Sequence, residues 1–294
     1  MKNRQQQATS TAQRGRGRPH RGSRHCAGEP PEIPPFGLLG RLSMLGQTTV
    51  GPSASATRKT ALDARAGADS QRRKDKHLTR EEIRKQIREV GVIPSIRVES
   101  AEAAIFAAEN VAAGGIPIVE IAATIPNSYQ VIHDLTHRFP TLIVGAEVVA
   151  GLDEARRQLD AGAMFLTGPA FDLEVTGYCV EHQIVVLPGA LTPTEVLLAH
   201  KAGADFVKVF PCLYIGGEKY IRALKAPLPH VPLVAAGGVT QGTAANFISA
   251  GAVAIGVGED LIPRQAIRFK EGAWIRELAS RFLNFVRQAR AEME

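Results

Sequence analysis

Lys208 stands in the run Asp205-Phe206-Val207-Lys208-Val209-Phe210-Pro211, an ammonium group set among apolar side chains. Phe206, Lys208 and Phe210 alternate with Val207 and Val209, so a strand would turn all three to one face. Burying an ammonium group is costly and disfavours its charged form. An unperturbed lysine pKa of about 10.4 leaves roughly one amine in a few thousand neutral at neutral pH. A value lowered by burial to about 7–8 would make Lys208 a usable nucleophile toward carbonyls. The alternative is a lysine that snorkels from a strand end into water. Glu120, in Ile118-Val119-Glu120-Ile121-Ala122, is a second charge among apolar neighbours. A carboxylate facing an amine is what imine chemistry needs: one group forms the Schiff base and the other carries protons. The plain reading of Glu120 is a strand-end carboxylate paired with a cation such as Arg97.

The elements that must position these groups follow from the pattern. Thr79-Arg80-Glu81-Glu82 has capping-box spacing and opens a helix to about residue 89. Eight short apolar runs then begin at Val92, Pro117, Leu142, Ala163, Ile184, Asp205, Val231 and Ala252. Helical patterns separate them at 100–113, 127–138, 151–161, 171–182, 193–202, 217–225 and 240–250, with a last helix at 272–292. Glycine recurs just before the strands, as in Ala161-Gly162-Ala163, Ala202-Gly203-Ala204 and Ala250-Gly251-Ala252, where it ends a helix and turns the chain. Eight strand–helix repeats predict an α/β fold, a parallel (β/α)8 barrel spanning 79–294; a doubly wound sheet is the competing architecture. Barrel active sites lie at the carboxyl ends of the strands. Lys208 and Glu120 fall near such ends. Gly237-Gly238 and Gly256-Val257-Gly258, after the seventh and eighth strands, suit a phosphate cradle of backbone N–H groups.

Charge divides the chain in two. Residues 1–78 carry 15 Lys+Arg against 5 Asp+Glu, whereas the remainder carries 20 against 24. The net charge of +6 therefore belongs to the amino-terminal segment. That segment is rich in Gln, Ser, Thr, Gly, Pro and Arg without periodicity, and it reads as a disordered basic extension. Gly15-Arg16-Gly17-Arg18-Pro19 resembles the core of an AT-hook, a weak single copy that leaves nucleic acid an unfavoured partner. A transit peptide and a start at Met44 are the other readings of this stretch. No run approaches the roughly 20 apolar residues of a membrane span. Cys26, Cys179 and Cys212 fit neither a disulfide framework nor a zinc pattern, as expected for a cytoplasmic protein. Glu120 and Glu147 lack histidine support as metal ligands, and the histidines fall in linkers or helices, so no metal or cofactor is expected.

The ordered segments resemble the 2-keto-3-deoxy-6-phosphogluconate (KDPG) / 4-hydroxy-2-oxoglutarate (KHG) aldolase family over residues 90–290. They are Gly115-Ile116-Pro117-Ile118-Val119-Glu120-Ile121, Ile143-Val144-Gly145-Ala146, Leu187-Pro188-Gly189 with Thr192-Pro193-Thr194-Glu195, and Val207-Lys208-Val209-Phe210-Pro211. Gly237-Gly238 and Ala254-Ile255-Gly256-Val257-Gly258 complete the series. The resemblance implies a trimeric class I aldolase that cleaves a 2-keto-4-hydroxy acid to pyruvate and an aldehyde without cofactor or metal. Lys208 would be the Schiff-base lysine and Glu120 the general acid/base. Arg97, Thr124, Pro169, Phe210, Gly237, Gly238 and Gly258 would contact substrate, Arg97 near its carboxylate.

Departures from the family pattern set further expectations. Gly145-Ala146-Glu147-Val148 replaces Gly-Ala-Gly-Thr, which removes a hydroxyl and adds a carboxylate. Gly168-Pro169 replaces Ser-Pro, Ala235-Ala236-Gly237-Gly238 replaces Pro-Thr-Gly-Gly, and Gly258-Glu259 replaces Gly-Ser. An ionised Glu259 beside a phosphate would repel it, so an unphosphorylated substrate is expected. Glu147 either pairs with a neighbouring helix or joins Glu120 and raises its pKa. The alternative to an enzyme is a divergent, non-catalytic or keto-acid-binding trimeric barrel.

Overall fold

Every barrel strand must divide its residues between an inner and an outer layer, and this chain does so by strict alternation. The computed structural model describes residues 78–293; the basic extension, its AT-hook-like run and Met44 lie outside the described residues. Nine strand segments follow one another: β1 (Val92–Ile96), β2 (Ile118–Ala122), β3 (Ile143–Glu147), β4 (Phe165–Thr167), β5 (Val185–Leu187), β6 (Gly189–Ala190), β7 (Val207–Val209), β8 (Leu233–Ala236) and β9 (Ala254–Val257). All neighbouring pairs are parallel, in the order β5-β4-β3-β2-β1-β9-β8-β7-β6. The two ends of that order, β5 and β6, adjoin in the chain across Pro188, so they form one stave and the ring has eight. Pro188 lacks an N–H, which splits the stave, yet its carbonyl still accepts from Lys208 N at 2.9 Å. The eight expected runs are therefore present in order, with one divided.

The helices are α1 (Arg80–Val90), α2 (Ala101–Ala113), α3 (Ser128–Arg138), α4 (Leu152–Asp160), α5 (Leu173–Glu181), α6 (Pro193–Lys201), α7 (Glu218–Lys225), α8 (Ala244–Ser249), α9 (Arg264–Arg268) and α10 (Gly272–Ala291). Thr79 and Glu82 form the expected capping box of α1. A second box, Thr192 with Glu195, opens α6 behind a proline. Gly203 and Gly251 adopt φ of +92° and +102° before β7 and β9, a conformation glycine reaches without a Cβ clash. Two elements depart from the sequence pattern. The expected helix at 240–250 starts only at Ala244, because the Thr243 hydroxyl accepts from Thr240 N and holds a turn there. The five-residue α9 is too short to show a 3.6-residue period. Among the described residues no helix is long and apolar enough to cross a membrane.

The barrel floor is apolar. Ile93, Ile118, Ile143, Phe165, Val185, Phe206 and Val234 fill it, and Ile83 and Ile87, one turn apart on α1, plug it from below. α1 is fastened by charge as well. Arg80 donates two hydrogen bonds to Asp205, at 2.9 and 3.0 Å, and Val186 N donates a third at 3.0 Å. The outer layer is a separate apolar cluster in which α10 packs on α2 and α8.

Candidate active site

Two residues above the floor, the same inward face turns polar. Ile93, Ile118, Phe165 and Phe206 are followed at i+2 by Ser95, Glu120, Thr167 and Lys208. Strand register brings Ser95 beside Glu120 and Glu120 beside Gly145. A Cβ at Gly145 would overlap the Phe165 ring, so glycine there lets that ring cross the interior. One step higher stand Arg97, Glu147 and Phe210. Lys208 is 3% exposed, and Glu120, Glu147 and Thr167 are each 1% exposed.

Lys208 Nζ places a hydrogen bond on each of three oxygens. Glu147 Oε1 lies at 2.9 Å, Glu120 Oε1 at 3.3 Å and Thr167 Oγ1 at 3.3 Å. The Thr167 hydroxyl in turn donates to Glu120 Oε2 at 2.8 Å, and the Ser95 hydroxyl donates to Glu120 Oε1. Arg97 grips Glu147 with two N–H groups, Nε donating to Oε2 at 2.7 Å and Nη2 to Oε1. Glu147 thus bridges two cations, and every hydrogen-bonding proton of the ammonium is used.

This arrangement reverses the expectation for the lysine. Burial alone would lower the pKa of Lys208, but Glu120 and Glu147 outweigh it and raise the value above the ordinary lysine range. The resting amine is therefore protonated, because two carboxylates, Glu120 and Glu147, both lie within hydrogen-bond reach of it. Burial, reinforced by the charge of Glu147, pushes Glu120 up to about 7 despite the opposing pull of Lys208 and the two hydroxyls. Burial works against Glu147 too, yet Lys208 and Arg97 together carry it down to about 2. Two carboxyls that share one lysine are pushed to opposite ends of the scale, the pattern that separates a proton carrier from a fixed charge. Of the two explanations for Glu147, joining Glu120 is the one realised. The expected Glu120–Arg97 pair is not formed, since Glu147 takes that arginine.

Above the cluster opens a cavity of about 210 Å³, lined by Arg97, Glu147, Phe210 and the glycine turns after β8 and β9. Gly237, Gly238 and Gly258 all reach it. Gly237 and Gly238 have φ of +83° and +89°, and a Cβ on Gly237 would come within 2.8 Å of Pro211 Cα. Glu259 and Asp260 line the same cavity. Two expected contacts lie elsewhere. Thr124 is exposed beyond β2 and Pro169 is exposed beyond β4, and neither lines the cavity. Each sits past its strand end, and Pro169 is held against the wall there, with Gly168 N donating to Leu187 O and Gly189 N to Ala170 O at 3.3 Å each. Ser95 and Thr167 were missed in the sequence, although both obey the i, i+2 alternation that marked Lys208. A hydroxyl in an apolar strand carries little signal until register sets it against a carboxylate.

The family model for "KDPG and KHG aldolase" matches residues 83–278. The chain is 27% identical over 197 residues to 2-dehydro-3-deoxy-phosphogluconate aldolase of Treponema pallidum, covering 67% of this chain and 94% of the relative. It is 30% identical over 182 residues to 2-dehydro-3-deoxy-6-phosphogalactonate aldolase of Escherichia coli K12, covering 61% and 85%. A solved structure of KDPG aldolase from Legionella pneumophila, with pyruvate captured as a covalent carbinolamine, superposes with a TM-score of 0.62 at 25% identity, covering 67% of this chain and 96% of that one. An eight-stave parallel barrel, a buried lysine between carboxylates and a match across two thirds of its length lead to one conclusion: the chain belongs to the KDPG and KHG aldolase family.

Proposed function

We propose that this chain is a class I aldolase that reversibly cleaves a 2-keto-4-hydroxy acid to pyruvate and an aldehyde. The observation that carries the reading is Lys208 Nζ, buried 3.3 Å from a carboxyl whose pKa is about 7. Glu120 then titrates where the cell operates, and proton transfer is fastest from such a group. Ionised Glu120 takes a proton from Nζ, and the neutral amine attacks the keto carbon. Proton transfer from nitrogen to oxygen, through Glu120, gives the carbinolamine. Protonated Glu120 gives its proton to the hydroxyl, which leaves as water, and the iminium remains. The nitrogen carries one positive charge before and after. Glu120, again ionised, accepts the proton of the C4 hydroxyl. The C3–C4 bond breaks, its electrons neutralise the iminium as an enamine, and the aldehyde departs. Glu120 returns the proton to C3, and water releases pyruvate. Arg97, half exposed at the cavity, serves the keto-acid carboxylate, and Phe210 with the glycine turns bounds the rest.

The aldehyde end is proposed to be unphosphorylated. Glu259 and Asp260 line the same small cavity, where their negative charge opposes a phosphate, and the exposed Arg264 Nε lies 3.5 Å from Glu259. The proposed assembly is a homotrimer, as the resemblance implies, and the widely spaced cysteines suit the cytoplasm. A second reading, a barrel that binds keto acids without turnover, is favoured by the protonated state of the resting lysine. One experiment separates the two. Incubation with pyruvate and borohydride reduces any iminium to a secondary amine and fixes a three-carbon adduct. Peptide mapping should find it on Lys208; folded protein without label defeats the enzymatic reading. Faster cleavage of a phosphorylated keto acid than of its unphosphorylated counterpart overturns the assignment of the aldehyde end.

A further inference from the structure

The cavity at the barrel mouth stops short of the reactive amine. It is lined by Ser95, Arg97, Glu147 and Phe210, whereas Lys208 and Glu120 lie behind them. Glu147 is the side chain in between. Its carboxylate takes both N–H groups on one edge of Arg97 and sits 2.9 Å from Nζ. A planar guanidinium binds carboxylates through that same two-pronged contact, whatever molecule supplies them. A 2-keto acid carries its carboxylate one bond from the carbon that Nζ attacks, so it needs the same two partners at the same spacing. We infer that Glu147 is an internal competitor for the keto-acid carboxylate, holding Arg97 until an incoming substrate displaces it.

The backbone next to Glu147 fits a side chain with two positions. Val148 has φ of +63°, a left-handed conformation that a β-branched residue rarely adopts. Strained residues of this kind gather at clamps and switches, where a neighbouring contact holds them. Here backbone hydrogen bonds hold it on both sides, from Ala123 N to Glu147 O at 2.8 Å and from Val149 N to Thr167 O at 3.3 Å. Arg97 is half exposed at the cavity, so its guanidinium can change partners without leaving the mouth. Displacing Glu147 also removes one of the two carboxylates that keep Nζ protonated. Binding of the correct acid and release of the amine are thereby coupled. Glu147 is in this sense a specificity-determining residue: it admits molecules that offer Arg97 a carboxylate and holds the site shut against neutral ketones.

The inference rests on the reading of Lys208 as the imine-forming amine, and its test keeps the two apart. Half-saturating concentrations for borohydride trapping are measured with pyruvate and with pyruvamide, its uncharged counterpart. The proteins are the full-length wild type, Glu147→Ala and Glu147→Asp. If the blocked form holds nine molecules in ten, removing the competitor should improve apparent affinity about tenfold. Glu147→Ala should therefore gain about tenfold for pyruvate beyond any gain for pyruvamide. Glu147→Asp is one methylene too short to span Arg97 and Nζ, so it should gain in the same direction and keeps the test alive if the alanine variant does not fold. Equal gains for both ketones, or none for pyruvate, overturn the competition while wild-type labelling leaves Lys208 its role. Label on the variants alone supports the competition; no label on any protein overturns both.

Discussion

The barrel buries charge at both ends, and the two ends do it differently. At the floor, the Asp205 carboxylate receives two hydrogen bonds from Arg80 and one from Val186 N, with Arg84 Nε 3.3 Å away. One buried anion meets two cations that keep part of their surface in water, and its needs are met. At the mouth, one buried ammonium is shared by two buried carboxylates that also repel each other. With Glu120 pushed up to about 7 beside Lys208, the mouth cluster has two protonation states close in free energy. A satisfied ion pair fastens an element, here α1 beneath the strands. An over-supplied one stores a mobile proton, which is what acid/base chemistry requires.

The contrast can be broken from either end. The largest effect is expected from Glu120→Gln, which keeps the shape of the side chain and removes the proton carrier. Turnover of a keto-acid substrate should fall by about 10² to 10⁴, the usual span for a general acid/base. Lys208 should still take borohydride label, only more slowly. A variant that turns over at the wild-type rate would move the proton carrier elsewhere.

Next in size is Asp205→Ala at the floor. Breaking a buried pair by removing one partner costs about 3–5 kcal/mol, so the thermal midpoint should drop by roughly 6–20 °C for a domain of this size. Pyruvate trapping on the folded protein should be unchanged. A loss of labelling equal to that of a mouth variant would show that the two ends are not independent.

The smallest effect is a pH dependence of stability. Glu120 has a folded pKa of about 7 against an ordinary 4.5, so its contribution is present in full below pH 4.5 and is lost as pH rises through 7. Glu147 runs the other way. Its pKa is lowered from 4.5 to about 2, so its contribution is present above 4.5 and is lost on acidification toward 2. Between pH 4.5 and 8 the wild type should lose stability relative to Glu120→Gln, whose amide never ionises. Melting curves for the two proteins that run parallel across this window would contradict the raised pKa.

Much of this was legible in the chain because alternation and turn chemistry are local. Phe206-Val207-Lys208-Val209-Phe210 turns Lys208 inward by a two-residue period, and the barrel obeys it. Glu120 was legible for the same reason. Arg97 was recognised, yet its partner was not: sequence gave no means to see that β3 would bring Glu147 to it across a gap of 50 residues. Thr124 and Pro169 were placed at the site by resemblance alone, and both stand exposed past their strand ends, outside the lining of the cavity.

By itself the amino-acid order determined the periodicities, the helix caps and the glycine turns, since each depends on residues within a few positions of one another. It therefore determined that a lysine and a glutamate would point into a barrel. Only the tertiary structure decided that they meet across 88 residues, that a second carboxylate joins them, and that the amine rests protonated. The reason is that a pKa in a buried cluster is set by the sum of burial and every neighbouring charge, and strand register alone chooses those neighbours.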